Sequence, residues 1–299
     1  MIPRCSLHGG VMPHSNGVVG SDGAGSGGEH GSIEGETAWR WLLDRRAGIL
    51  NGPLRVDGEG HWQCDDTAGL TIEARSMLEC LAPLAVRKRW TLAQLGQSLD
   101  GRIATESGHS HYINGFESLV HLHRLRALAD AVVVGAGTAV ADDPQLTVRH
   151  VEGSHPVRVV LDPRGRAPAT LGVLQSSEPP TLHVTGPGVE TLESRATQCV
   201  LALDDAGQFA PADVVALLHE RGYQRILVEG GGITISKFIE AGAIDALHLM
   251  VAPLLIGSGR PGLKMTPIDT LESALRPRMR TFRCGDDTLF DVCLNAATV

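Results

Sequence analysis

ILVEGGGITISKFIEAG, residues 226–242, sets a β-branched run directly against a carboxylate, three successive glycines and a helical pattern. This order reads as a buried strand that ends at Glu229 and enters a helix through bare backbone. In a parallel sheet, ligands collect beyond the carboxyl ends of the strands, where helix N-termini direct unpaired N–H groups outward. Glycine admits positive φ and lets the main chain approach a ligand closely. The helix that follows offers its first-turn amides together with the hydroxyls of Thr234 and Ser236, so Gly230, Gly231 and Gly232 open a candidate pyrophosphate cradle. The stretch matches neither G-x-G-x-x-G nor GxxxxGK[ST]. A plain tight turn is the competing reading, and the neighbouring strand ends decide between the two.

Working outward, RWTLAQLGQSL, DAVVVGAG, VRVVLD, PTLHVT, QCVLAL, RILVEG and DALHLMV are strand-like runs separated by Gly, Pro and Asp clusters. Helical patterns lie between several of them. NGFESLVHLHRLRALA places Phe116, Leu119, Val120, Leu125 and Leu128 near one stripe, and APADVVALLHERG opens with a first-turn proline and stops at Gly222. Alternating strand and helix predicts an α/β domain with a mostly parallel sheet flanked by helices. The C-terminal runs MRTFRC and TLFDVCLN, around Gly285, Asp286 and Asp287 with no helix between, predict an antiparallel hairpin on that sheet.

Upstream the composition changes. Residues 1–36 are rich in Gly, Ser, His and Asn and hold too few large apolar side chains to offset ordering entropy, so a flexible tail is expected. Residues 37–88 carry Trp39, Trp41, Leu42 and Leu43 in an amphipathic stretch, Trp62 after a polar turn, and LTIEARSMLECLAPLAV as a second helix. They are expected to form a small N-terminal appendage of unknown role ahead of a domain at 89–299.

A chain of 299 residues with 42% hydrophobic content can bury a substantial core. A net charge of −8 argues against nucleic acid as a partner, because backbone neutralisation needs a clustered basic face. The six cysteines lack CxxC spacing, which indicates neither a disulfide framework nor a zinc knuckle and points to a reducing, cytoplasmic setting. No apolar stretch approaches the roughly 18 residues that span a bilayer, so no membrane partner is expected. His121 and His123 stand two apart on a predicted helix and point ~200° away from each other, so they cannot share an ion, and no metal site is expected.

Two further strand ends flank the glycines in chemistry. SLDGRIATESGHSHYI, residues 98–113, follows a strand with Ser98, Asp100, Gly101 and polar residues around Tyr112. VGAGTAVADDPQLTVR, residues 134–149, follows another with small residues, Thr138, the Asp142–Asp143 pair and Arg149. Each alone also reads as a turn, SLDG as a hairpin and ADDP as an Asp-rich turn locked by Pro144.

Taken together in this order and spacing, SLDGRIA, ADDPQLTVR and VEGGG followed by a helix resemble the reductase domain of the bifunctional riboflavin-biosynthesis deaminase/reductase family. The likeness spans residues 89–296. It implies a dihydrofolate-reductase-like fold, NADPH as cofactor, and reduction of the ribose of 5-amino-6-(5-phosphoribosylamino)uracil, or its 2,5-diamino pyrimidinone analogue, to a ribityl chain. Carried over by position, it implies substrate contacts at Ser110, Arg126, Leu146, Arg149 and Glu229. It implies cofactor contacts at Tyr112, Thr138, Asp142 and the stretch Gly231, Gly232, Ile233, Thr234, Ser236 and Lys237. Arg126 and Arg149 offer guanidinium forks suited to a 5-phosphate. Glu229 and Asp100 are the acids placed nearest the reaction, with Glu229 as an anchor. Arg164 and Arg166 in LDPRGRAP are candidates for the adenosine 2′-phosphate. A homodimer is implied by resemblance.

The sequence departs from the family pattern at Gln94, where a lysine is usual, at Tyr112 for tryptophan, and at Pro163 for serine. Residues 1–88 contain neither His-x-Glu nor Pro-Cys-x-x-Cys, so deamination is not expected. Three readings stay open: the riboflavin-route reductase, a related reductase of another pyrimidine or pterin-like substrate, and a non-catalytic nucleotide-binding protein.

Overall fold

The computed structural model describes residues 34–50, 52–56, 62–64, 69–110 and 113–294; the expected tail lies outside it except for residues 34–36. Helices α1 (Gly35–Arg46) and α2 (Ile72–Val86) flank a short antiparallel pair, β1 (Leu54–Val56) and β2 (Trp62–Cys64). The chain continues through β3 (Trp90–Ser98), β4 (Arg102–Thr105), α3 (Phe116–Leu128), β5 (Ala131–Gly135), α4 (Ala136–Asp142), β6 (Val157–Asp162) and α5 (Gly172–Gln175). It then forms β7 (Thr181–Thr185), β8 (Thr197–Val200), α6 (Pro211–Glu220), β9 (Arg225–Glu229), α7 (Gly232–Glu240), β10 (Ala246–Ala252) and β11 (Gly259–Pro261), and ends in β12 (Arg278–Cys284) and β13 (Asp287–Cys293).

All seven predicted strand runs pair in one nine-stranded sheet, in the order β12-β13-β10-β3-β9-β5-β6-β7-β8. Strands from β10 to β8 are parallel, and β13 and β12 add antiparallel, as the hairpin reading expected. SLDG is not a hairpin turn: β4 pairs with β11 instead, in a separate two-stranded ribbon. Period-two alternation sends Leu92, Val132, Val134 and Leu227 to the face covered by α1, α2 and α3, and Ala93, Val133, Ile226 and Val228 to the face covered by α6 and α7. Buried on both faces, such strands read as near-continuous apolar runs. The 37–88 segment packs into this arrangement, because Trp39, Leu42, Leu78 and Leu81 share one cluster with Leu92, Leu125 and Leu128. Among the described residues no helix is long and apolar enough to cross a membrane.

Helix α3 departs from the predicted stripe. Leu125 and Leu128 are buried as expected, but Phe116 is 61% and Leu119 37% exposed, while Ser118, His121, His123 and Arg126 are buried. Ser118, His121 and Arg126 go inward because each finds a distant partner, in Asp287, His248 and Glu229, while His123 Nδ1 accepts from the Arg149 amide. Asp287 at the start of β13 accepts from the Gly115 amide at 2.8 Å and from Ser118 Oγ at 2.5 Å, capping α3 from 172 residues away. A second long-range substitution occurs in α2, where Pro83 lacks the N–H that would reach the Glu79 carbonyl. Arg280 of β12 supplies the missing donor at 3.0 Å.

Asp287→Ala removes the cap and strands a buried hydroxyl. The expected loss is ~1–3 kcal/mol, read as a lower urea midpoint with an unchanged slope of stability against denaturant.

Candidate functional site

Strands β5 and β9 are neighbours, yet the chain leaves β5 for β6 on one side and leaves β9 through α7 for β10 on the other. Their carboxyl ends therefore form a switch point, where open parallel sheets take their ligands. A cleft of about 1310 Å³ opens there. It exceeds the roughly 300–1,000 Å³ of a pocket for one small ligand and has room for two molecules side by side.

All three strand ends singled out in the sequence reach this cleft. Ile103, Ser107 and Ser110 come from the first, Gly135, Thr138 and Asp142 from the second, and Gly231, Gly232, Ile233, Thr234 and Lys237 from the third. Arg166 lines it too. Tyr112 lies outside the described residues.

The glycines act differently from one another. Gly230 has φ 112°, which only glycine adopts without strain. The Gly231 amide donates to Thr138 Oγ1 at 3.0 Å, tying the start of α7 to α4. A Cβ on Gly232 would stand 1.5 Å from the Gly262 carbonyl oxygen, so this glycine admits a crossing strand of the protein itself. What remains for a ligand is the opening of α7: the Gly232 and Ile233 amides make no hydrogen bond among the described residues. With Arg166, Arg260 and Lys264 on the same cleft, this donor set fits a diphosphate.

Several expected contacts are otherwise engaged. Ser236 is 1% exposed and accepts from the Lys264 amide at 2.8 Å, fastening the 259–264 segment over α7. Lys237 donates to Gln208 Oε1 at 3.0 Å. Arg164 does not line the cleft, which leaves Arg166 as the nearer of the pair. Asp100, expected near the reaction, accepts from Ser98 Oγ at 2.5 Å and from the Ile256 and Gly257 amides at 3.1 and 2.6 Å. The Ser98 hydroxyl first, and those amides second, hold its carboxyl down at about 2. It is a fixed carboxylate that joins the β3 turn to the loop before β11.

Directly before the glycines lies a buried ion pair; its members Glu229 and Arg126, like Leu146 and the exposed Arg149, are not among the residues that line the cleft. Alternation along β9 turns Glu229 to the α3 face, where Arg126 Nε and Nη2 donate to its two oxygens at 2.8 and 2.7 Å. Both side chains are 7% exposed. Arg126 Nη1 donates to the Thr147 carbonyl at 3.0 Å, next to Leu146, a buried residue at φ 55°. Arg149 is held below the ordinary guanidinium value by partial desolvation and then by Arg126. Its Nη1 donates to Gln145 Oε1 and Thr147 Oγ1, both at 2.8 Å. Its amide donates to His123 Nδ1 at 2.8 Å.

Asn114, Gln208, Phe209, Arg260 and Lys264 also line the cleft and were not picked out in the sequence. Arg260 lies on the short strand β11 and the others sit in loops without periodicity, and only the tertiary fold brings them together.

A sheet of this order, mostly parallel and flanked by helices, with its cleft at the switch point and a C-terminal antiparallel hairpin, is the mixed α/β architecture of a ligand-binding domain. The chain belongs to the family described as the RibD C-terminal domain, whose model matches residues 89–288. It is 33% identical over 210 residues to riboflavin biosynthesis protein RibD of Aquifex aeolicus, covering 70% of this chain and 58% of that protein. It is 32% identical over 217 residues to 2,5-diamino-6-ribosylamino-4(3H)-pyrimidinone 5′-phosphate reductase of Methanothermobacter thermautotrophicus, covering 68% of this chain and 96% of that protein. The chain thus spans a little over half of the first relative and nearly all of the second. Among solved structures, a diaminohydroxyphosphoribosylaminopyrimidine deaminase/5-amino-6-(5-phosphoribosylamino)uracil reductase of Thermotoga maritima superposes with TM-score 0.60 at 24% identity, covering 74% of this chain and 61% of that one.

Two outcomes check the site. Gly232→Ala forces the 261–262 segment off α7, and overpacking of this kind costs ~1–3 kcal/mol, measured as a lower thermal midpoint. Asp100 has a folded value near 2 against an ordinary 3.8, so its contribution is present above the ordinary value and is lost as pH falls through about 2. Asp100→Asn is therefore less stable than the parent at pH 7, and the gap closes in the most acidic buffers of a pH series.

Proposed function

We propose that this chain is an NADPH-dependent reductase that converts the ribose of 5-amino-6-(5-phosphoribosylamino)uracil, or of its 2,5-diamino pyrimidinone analogue, to the ribityl form in riboflavin biosynthesis. The observation that carries this reading is a switch-point cleft that all three strand ends line and that is large enough for cofactor and substrate together.

Bound NADPH would supply the hydride to C1 of the opened ribosylamine. The chain's own residues bind and align. The α7 amides at Gly232 and Ile233, with Thr138, Asp142, Thr234 and Lys237 around them, would hold the dinucleotide, and Arg166 would face its 2′-phosphate. Arg149, seconded by Arg126, would receive the substrate's 5-phosphate, with Ser110 and Leu146 bounding the sugar. Glu229 accepts two guanidinium N–H bonds and is an anchor, not a proton shuttle. Its position fixes Arg126, and the left-handed Leu146 holds Thr147 against the same guanidinium. Such alignment is the protein's main contribution to hydride transfer.

A second reading, a related reductase of another pyrimidine or pterin-like substrate, is favoured by Gln94, which lines the cleft where relatives carry a cation. The reducing, cytoplasmic setting expected from the cysteines suits either substrate. A homodimer is supported by the open edge strand β12 and by exposed Leu255, Leu271, Leu275 and Met279 near it in sequence.

The test follows NADPH absorbance with a panel of phosphoribosylaminopyrimidines. Consumption with the riboflavin precursor supports the first reading and consumption with another acceptor supports the second. Binding without consumption overturns both. Glu229→Gln is expected to lower kcat/KM ~10–100-fold through loss of a charged hydrogen-bonded anchor, with NADPH affinity unchanged. Arg166→Ala is expected to lower preference for NADPH over NADH ~10-fold or more, measured as the ratio of the two dissociation constants.

A further inference from the structure

Outside the cleft lining, on the face of the sheet covered by α2 and α3, three potential ligands of a soft metal converge. Cys80 of α2, His121 of α3 and His248 of β10 each present one donor atom, and these atoms lie within 4.8 Å of one another. All three side chains are buried, at 5%, 5% and 1% exposure. They come from three separate elements, so helix periodicity does not account for their meeting. His121 Nε2 and His248 Nδ1 stand 3.0 Å apart. Around a tetrahedral zinc ion, with Zn–N about 2.0–2.1 Å and Zn–S about 2.3 Å, neighbouring donors are separated by about 3.3–3.6 Å. Small side-chain adjustments therefore suffice to admit an ion.

A second observation points the same way. His248 Nε2 lies 3.5 Å from Asp291 Oδ1, the residue directly opposite it on β13. Histidine ligands of metals commonly donate their outer N–H to a carboxylate, which fixes the tautomer that leaves the inner nitrogen free. Asp291 is itself held by Arg280, and Arg280 also satisfies the Glu79 carbonyl freed by Pro83, one residue before Cys80. The surrounding shell is therefore built and shared between the 37–88 segment and the sheet.

We propose that Cys80, His121 and His248 form a buried site for a zinc-class divalent ion, with Asp291 orienting His248, that staples α2 to the family domain. Cys80 stands outside the residues matched by the family model, whereas His121 and His248 lie within them, so the site joins the N-terminal segment to the family domain. On binding, the Cys80 thiol releases its proton to solvent, and His121 carries its proton on Nδ1 in place of the His–His hydrogen bond. Water completes the tetrahedron. The His–His bond without metal is the competing use of the same atoms.

The experiment uses the full chain, stripped with chelator and titrated with Co²⁺ as a spectroscopic probe and Zn²⁺ by competition. The expected result is one tight equivalent showing a thiolate-to-cobalt charge-transfer band, a thermal midpoint raised by Zn²⁺, and loss of both in Cys80→Ser and in His248→Gln. Asp291→Asn is expected to weaken binding ~10–100-fold while keeping the band. Weak binding without a thiolate band, or a band that survives Cys80→Ser, overturns the site and leaves the His–His bond as the whole explanation. If a variant does not fold, protection of Cys80 against alkylation by Zn²⁺ in the parent chain decides, and equal labelling with and without the ion overturns the proposal. None of these readouts depends on turnover, so the site stands or falls apart from the reductase assignment.

Discussion

A carboxylate at the end of a strand buried on both faces must be compensated where it stands, because removing one partner of such a pair costs about 3–5 kcal/mol. In this protein that compensation is the fork between Glu229 and Arg126. It locks α3 to the centre of the sheet, and the remaining guanidinium N–H, bonded to the Thr147 carbonyl, draws the 143–149 segment onto the same point. The glycines that open α7 follow Glu229 directly, so the floor of the cleft inherits its position from the ion pair. Shape and charge at the site therefore share one origin.

The sheet was legible in the sequence because parallel strands covered on both sides leave unbroken β-branched runs, as in DAVVVGAG and RILVEG, and because Gly285 and Asp286 announce a hairpin. The cleft was legible as three strand ends, since small and hydrogen-bonding residues cluster where backbones approach. The allocation of individual side chains was not. Phe116 and Leu119 read as core and instead border the cleft, because α3 has one flank against a cavity and its Ser118, His121 and Arg126 are satisfied from 103 to 169 positions away. Gly232 read as an approach to phosphate, and its missing side chain also admits the Gly262 carbonyl. Asp100 read as reactive and instead fastens two loops. In each case the deciding partner is remote in sequence, and a single chain carries no local trace of it.

The 37–88 segment shows the same limit. Its helices were evident from Trp39, Leu42 and the LTIEARSMLECLAPLAV pattern, but the depth of their packing was not, since that depends on apolar residues of β3 and α3. Trp90 Nε1 donating to the Leu84 carbonyl at 2.9 Å, and Arg46 donating to the Leu128 and Ala129 carbonyls at 3.1 Å, tie both helices to the sheet layer at defined points.

The capping of α3 by Asp287 has a consequence for the order of assembly. One wall of the cleft begins at Gly115, whose amide and the Ser118 hydroxyl are satisfied by a residue that emerges from the ribosome 172 positions after Gly115. Contacts of such long sequence separation form late, after the loop-closure entropy of the intervening chain has been overcome. A nascent or C-terminally shortened polypeptide can build the central strands, yet it leaves the mouth of the cavity frayed. Competence to bind is thereby tied to synthesis of β13.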